Sequence, residues 1–218
     1  MTDGTETRVP PVPPPSDYRL AVPDGWERIV LDSPERWTHR IDKLVKRGLR
    51  RTQATPQLEA ALAERMRAQA EAAQANGGVE MYVVNQVLGQ VAVSAGLVVT
   101  VLRPAAGTDP GDLGDIARSL ALRADAGQVG DDDVTLVDLP AGPAVRHRYL
   151  RRPAPDAPGS LDGNKLAVAH LDVYLAVPHS GQRLLLSFST PTAPPLEPLV
   201  EALVTLFDSV ARTLQWMA

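Results

Sequence analysis

The sequence predicts an α+β fold: a mainly antiparallel sheet of about six to eight strands with helices on both faces. Three observations predict it. Residues 165–177 and 183–190 are apolar-alternating runs on either side of Pro178-His179-Ser180-Gly181-Gln182, the pattern of a hairpin. Past Pro191 the period changes, and Leu199, Leu203, Leu206, Val210 and Leu214 recur at helical spacing toward Trp216. The same succession of strand pair and helix recurs upstream, with strand pairs at 79–102 and 134–152 and a helix between them.

Each element has its own reason. Residues 1 to about 16 carry Val9-Pro-Pro-Val-Pro-Pro-Pro15 and no apolar periodicity, so a disordered proline-rich tail is expected there. Residues 17–218 are read as a single α+β domain. Tyr18 to Val22 and Trp26 to Leu31 alternate around Pro23-Asp24-Gly25, which predicts an N-terminal hairpin. Asp32 or Ser33 with Pro34 then opens a helix striped by Trp37, Ile41, Leu44, Val45 and Leu49. Thr55-Pro56 opens a second, striped by Leu58, Ala61, Leu62, Met66, Ala70 and Ala73 and stopped by Asn76-Gly77-Gly78. The two form a helical-pair insertion at about 33–76 that covers one sheet face. Residues 91–102 are apolar on both parities, as a central strand covered on both sides should be. Asp109-Pro110 begins a shorter helix carrying Leu113, Ile116, Leu120 and Leu122, and Asp131-Asp132-Asp133 reads as a solvated turn.

Composition narrows the function classes. The 218 residues contain no cysteine, which excludes disulfides, thiolate metal sites and a cysteine nucleophile. Met1 to Thr7 has neither the basic start nor the apolar run of a secretory signal, and no apolar run is long enough to span a bilayer. A cytoplasmic location without membrane insertion is therefore expected. Only three lysines stand among 22 basic residues in an alanine-rich chain, a bias typical of a GC-rich, actinobacterial genome. A net charge of −4 argues against a nucleic-acid binder.

Charge is unevenly placed. Arg36, Arg40, Lys43, Arg47 and Arg50 are spaced four, three, four and three, so they share one helix face opposite the apolar stripe. With Lys46 and Arg51 against Glu35 and Asp42, the segment is +5, leaving −9 on the remainder. These five residues are the candidate partner-binding face, and an acidic protein surface is the partner their charge suits. A second copy of the chain is compatible with the same charges.

No nucleotide-binding, zinc-protease or nucleophile-elbow motif is present, so no catalytic residue, enzyme activity or cofactor is expected. His147 and Tyr149 share one parity of their strand, and His170, Asp172 and Tyr174 share one parity of theirs. Should those strands pair, His147, His170 and Asp172 could converge for metal binding or acid–base work. Ser187 and Ser189 lie on a strand with no base beside them by motif.

Leu20-Ala-Val-Pro-Asp-Gly-Trp26, the paired strands, and Leu184-Leu-Leu-Ser-Phe-Ser-Thr190 before a terminal helix resemble the PsbP-like α/β/α sandwich group, which includes the actinobacterial LpqN-type proteins. The resemblance covers roughly 18–31 and 79–216. It implies a binding or assembly protein without catalytic residues. By fold it is also similar to secretion chaperones of the actinobacterial type VII system. The expected function is a non-enzymatic cytoplasmic adaptor or chaperone-like protein-binding module tied to an actinobacterial secretion or assembly system. The alternative is a small-molecule or metal-binding protein, or a weak hydrolase, using the His147/His170 sheet face.

Overall fold

Every strand pairing among the described residues is antiparallel, whether a short turn or a long stretch of chain joins the two strands. The computed structural model describes residues 12–49, 55–88, 91–104, 112–125, 132–152 and 167–218. In chain order they form β1 (Asp17–Arg19), β2 (Glu27–Val30), α1 (Pro34–Leu49), α2 (Pro56–Ala75), β3 (Gly78–Leu88), β4 (Val91–Leu102) and α3 (Leu113–Asp125). There follow β5 (Asp133–Leu139), β6 (Gly142–Arg151), β7 (Ala167–Ala176), β8 (Arg183–Thr192), α4 (Glu197–Ala211) and β9 (Gln215–Met217). Seven strands make one sheet in the order β2-β3-β4-β8-β7-β6-β5, and β1 and β9 make a separate two-stranded ribbon.

Alternation along the strands assigns the faces. Leu97, Val99, Leu171, Val173, Leu175, Leu184, Leu186 and Phe188 point to one side and are buried there by Val200, Leu203, Val204, Phe207, Val210 and Ala211 of α4. Phe188 and Phe207 stack with centroids 5.0 Å apart. On the other side Ile29, Leu31 and Met81 pack with Trp37, Ile41 and Val45 of α1 and Ala63 and Ala70 of α2. Helix α3 lies against β5, β6 and β7. The sheet thus has helices on both faces, as the periodicities predict.

The helical pair enters where a hairpin turn would otherwise stand. β2 and β3 are antiparallel neighbours, and Leu31 N–H donates to the Val79 carbonyl at 2.9 Å, so residues 32–77 leave and rejoin the sheet at adjacent points. Thr55 Oγ1 accepts from Leu58 N–H at 3.3 Å, satisfying an otherwise orphaned donor at the start of α2. At its end Gly77 holds φ +85°, and a Cβ there would lie 2.9 Å from the Val101 carbonyl oxygen. Glycine suits that stop because both the backbone angle and the close approach exclude a side chain.

Four sequence expectations are corrected. Tyr18 and Trp26 do not flank a hairpin: β1 pairs with β9, Tyr18 opposite Trp216, while β2 pairs with β3. The partners lie some two hundred residues apart, a distance that leaves no local signal. The terminal helix stops at Ala211 rather than running to Trp216. Thr213 Oγ1 donates to the Val210 carbonyl at 2.7 Å and accepts from Ala21 N–H at 2.9 Å, turning the chain toward β1. The α2 stripe is rotated: Ala63 and Ala70 are buried, Leu62, Met66 and Ala73 half-buried, and Leu58 and Ala61 exposed. Leu122 of α3 is 65% exposed, outside the half-buried face of Leu113, Ile116 and Leu120. The N-terminal tail through residue 11, residues 50–51 and Asp131 lie outside the described residues.

Candidate functional site

Two regions collect the polar residues the sequence singles out, and the first is α1. Its Trp37–Ile41–Val45 stripe faces the sheet and α2, which turns the cationic face outward. Arg36, Arg40, Lys43 and Arg47 are all exposed, while Arg50 falls outside the described residues. Their surroundings differ. Arg40 and Arg47 both reach Glu27 on edge strand β2, at 3.8 Å for Arg40 and in a short contact for Arg47. Arg36 pairs with Asp32 one turn back at 2.5 Å. On the other flank Asp42 accepts from Arg67 of α2 at 2.6 and 3.2 Å. Among the described residues Lys43 and Lys46 form no ion pair; with His39, Asp42 and Arg47 they line a shallow depression of about 490 Å³. Exposed pairs of this kind are worth about 0.2–1 kcal/mol each. They position the arginines more than they stabilise the fold.

The second region is the β6–β7–β8 strip of the sheet face opposite α4. Strands β6 and β7 do pair, with His147 opposite Asp172 and Tyr149 opposite His170, and β8 places Ser187 opposite Asp172 and Ser189 opposite His170. The rings stack in sequence: His147 on Tyr149 at 4.5 Å between centroids, Tyr149 on His170 at 4.8 Å. Tyr149 therefore stands between the two imidazoles and keeps them from converging on one point. Among the described residues no three histidine, aspartate or glutamate side chains are grouped so as to hold a metal ion.

Asp172 is the centre of this strip. It is 6% exposed and accepts from Ser187 Oγ at 2.6 Å and from Tyr149 Oη at 3.2 Å. Burial raises its pKa above the ordinary carboxylate value, and the Ser187 and Tyr149 hydrogen bonds and the His147 charge oppose the shift. Burial also pushes the Tyr149 phenol up, helped by the Asp172 charge, and lifts Tyr174 to about 12. His170 goes the other way. Burial, then the charges of Arg151 and His147, lower it to about 4, so it is neutral at physiological pH. The Nδ1 atoms of His147 and His170 are buried without a hydrogen-bond partner among the described residues.

Several residues joined these regions without being anticipated. Asp132, expected in a solvated turn, is a side chain 7% exposed whose Oδ1 lies 3.3 Å from His147 Nε2. Asp133 beside it reaches Arg146, which also pairs with Asp208 of α4 at 2.9 Å. Ser187 has a carboxylate beside it after all, supplied by the next strand. Glu27 carries the α1 arginines, and only β2's place at the sheet edge beside α1 reveals it. Buried Glu80 pairs with Arg28 and accepts from Tyr82 Oη at 2.6 Å, at the wall of a cleft of about 410 Å³ that Tyr18 and Trp216 also line. All five are acceptors or hydroxyls with a partner on another strand or helix; only the Tyr82 contact of Glu80, two residues along the same strand, was open to a spacing rule.

No family model matches the chain, and no curated protein matches it. Among solved structures it is similar to the crystal structure of LpqN involved in cell envelope biogenesis of Mycobacterium tuberculosis. The two are 10% identical over 92% of this chain and 83% of that one, with a TM-score of 0.40. The LpqN-type resemblance read from the sequence is thus met only as a weak likeness of fold. No helix among the described residues is long and apolar enough to cross a membrane.

Proposed function

We propose that this chain is a non-enzymatic adaptor that docks on an acidic protein surface through the outer face of α1. One observation carries the reading. On a chain of net charge −4, α1 holds Arg36, Arg40, Lys43, Lys46 and Arg47 in solvent on a single exposed surface. Like charges three or four apart cost a helix a few tenths of a kcal/mol per pair, and solubility does not require them. Such a patch attracts and orients an acidic partner within a Debye length of about 10 Å. A protein partner suits the face better than nucleic acid, because no Phe, Tyr or Trp stands among the exposed cations of α1 to stack on bases.

The test is capture of partners at low and high salt by the wild type and by Lys43→Glu/Lys46→Glu, with circular dichroism as the folding control. These two lysines leave the Glu27 and Asp42 pairs intact, so the change of sign is confined to the surface. Loss of salt-sensitive partners with an unchanged spectrum is expected. The same partners at the same salt would overturn the reading.

The strip on β6, β7 and β8 supports a second reading, a small-molecule site, through the two buried imidazole nitrogens that have no hydrogen-bond partner among the described residues. Its test is a melting-temperature screen with small carboxylates, amines and divalent metals, because a ligand specific for the native state raises the midpoint. No shift with any of them would remove it.

A further inference from the structure

The cations of α1 are not equivalent, and their differences specify the shape of what binds. At about 100° per residue, the helix buries an arc centred between Trp37 and Val45. One flank of the exposed half holds Arg40 and Arg47, turned down onto Glu27 of β2. The other flank holds Asp42, tied to Arg67 of α2. Arg36 is folded back onto Asp32. What remains, diametrically opposite the buried arc, is the row His39, Lys43 and Lys46, none of them in an ion pair among the described residues. Their spacing of four and three makes a nearly straight line along the axis, about 10 Å long at 1.5 Å per residue.

Resting on the reading of α1 as the docking face, we infer that the partner is itself an α-helix, lying along α1 and carrying carboxylates at i, i+4 and i+7. A line of donors with helical rise is matched in register by another helix, whose own i, i+4, i+7 row repeats at the same rise. A single phosphate group would meet one or two of the three donors. The paired arginines then act as rims that carry the field, and the Lys43–Lys46 row supplies register.

The experiment uses the full chain and two labelled alanine-based helical peptides of identical composition, one with glutamates at i, i+4 and i+7 and one with them scattered around the helix. Fluorescence anisotropy at low salt reads the affinities. The patterned peptide should bind about fivefold more tightly, the sum expected of two exposed ion pairs at Lys43 and Lys46. That preference should vanish in Lys43→Gln/Lys46→Gln and in Lys43→Glu/Lys46→Glu. It should survive in Arg118→Glu/Arg212→Glu, which makes the same charge change as the second pair on α3 and at the end of α4. Equal, salt-sensitive binding of both peptides would overturn the helical partner and leave the acidic docking face standing. If neither peptide binds while acidic proteins are still retained in a salt-sensitive way, the helical partner is again wrong. Should the lysine variants keep every captured partner as well, both readings fall together.

Discussion

Asp172 and His170 lie two residues apart on one face of β7 with pKa values shifted in opposite directions, and pH separates them. Burial makes the folded chain hold the Asp172 proton more tightly than the unfolded chain does. Below the ordinary value of 3.8 both states are protonated; as pH rises through the higher folded value, the folded state surrenders a proton it retained and loses stability. Asp172→Asn cannot ionise, and its amide can still accept from Ser187. Its melting temperature should therefore climb relative to wild type as pH goes from about 4 to neutral, and a constant difference would refute the buried-charge account. For His170 the folded value is depressed from 6.5 to about 4, so its contribution is intact above 6.5 and is lost as pH falls toward 4. His170→Phe preserves a ring against Tyr149 without the titration. Between pH 6.5 and 4 its stability should fall less than wild type's, measured by urea midpoints in that window; parallel curves would clear His170 of any part in acid lability.

At the scale of the element, α4 packs over the centre of one sheet face, on β7 and β8. Phe207 is 2% exposed and stacked on Phe188, and Leu203 is 7% exposed. Truncating either to alanine removes buried contacts and leaves a cavity, at a cost of about 3–5 kcal/mol for Phe207→Ala and about 2–5 for Leu203→Ala. Leu206, which the helical spacing marks as equally buried, is only half-buried, so Leu206→Ala should cost clearly less than either. Urea unfolding of the three variants orders them. If Leu206→Ala matched Leu203→Ala, the face assigned to α4 would be rotated.

For the molecule as a whole, two regions remote in sequence hold the assembly together. The α1–α2 pair leaves the sheet between Leu31 and Val79, so an Asn-Gly turn in place of residues 32–77 would still allow β2 and β3 to pair. It would also strip Ile29, Leu31 and Met81 of their cover. That shortened chain should aggregate or unfold without cooperativity, judged by light scattering and urea titration; a well-behaved cooperative monomer would show the pair to be dispensable. The terminal ribbon makes a graded case. Among the described residues, a chain starting at Asp17 loses the Ser16 hydrogen bonds to Met217 and Ala218, exposed and worth about 1 kcal/mol each or less, and it should melt within a few degrees of the full chain. Starting at Leu20 instead removes all of β1, including Tyr18, whose ring packs on the α4-side core. A markedly lower melting point is expected there, and equal midpoints for the two chains would mean that β1 contributes nothing.

Local pattern was enough to find nearly every element of the main sheet. Period-two runs became strands, period-3.6 stripes became helices, Thr55 capped α2 and Gly77 ended it, because each depends on residues a turn or a strand apart. The cationic face of α1 and the shared parity of His170 with Asp172 were legible for the same reason. Pairing between distant segments was not. Tyr18 opposite Trp216, Glu27 under Arg40 and Arg47, Asp132 against His147 and Ser187 on Asp172 all follow from which strand lies beside which. That order is decided by how the sheet buries its two faces, a property of the whole chain. Composition and spacing set which side chains point the same way; only the packed sheet decides which of them meet, and so which cations on α1 stay paired and which face outward.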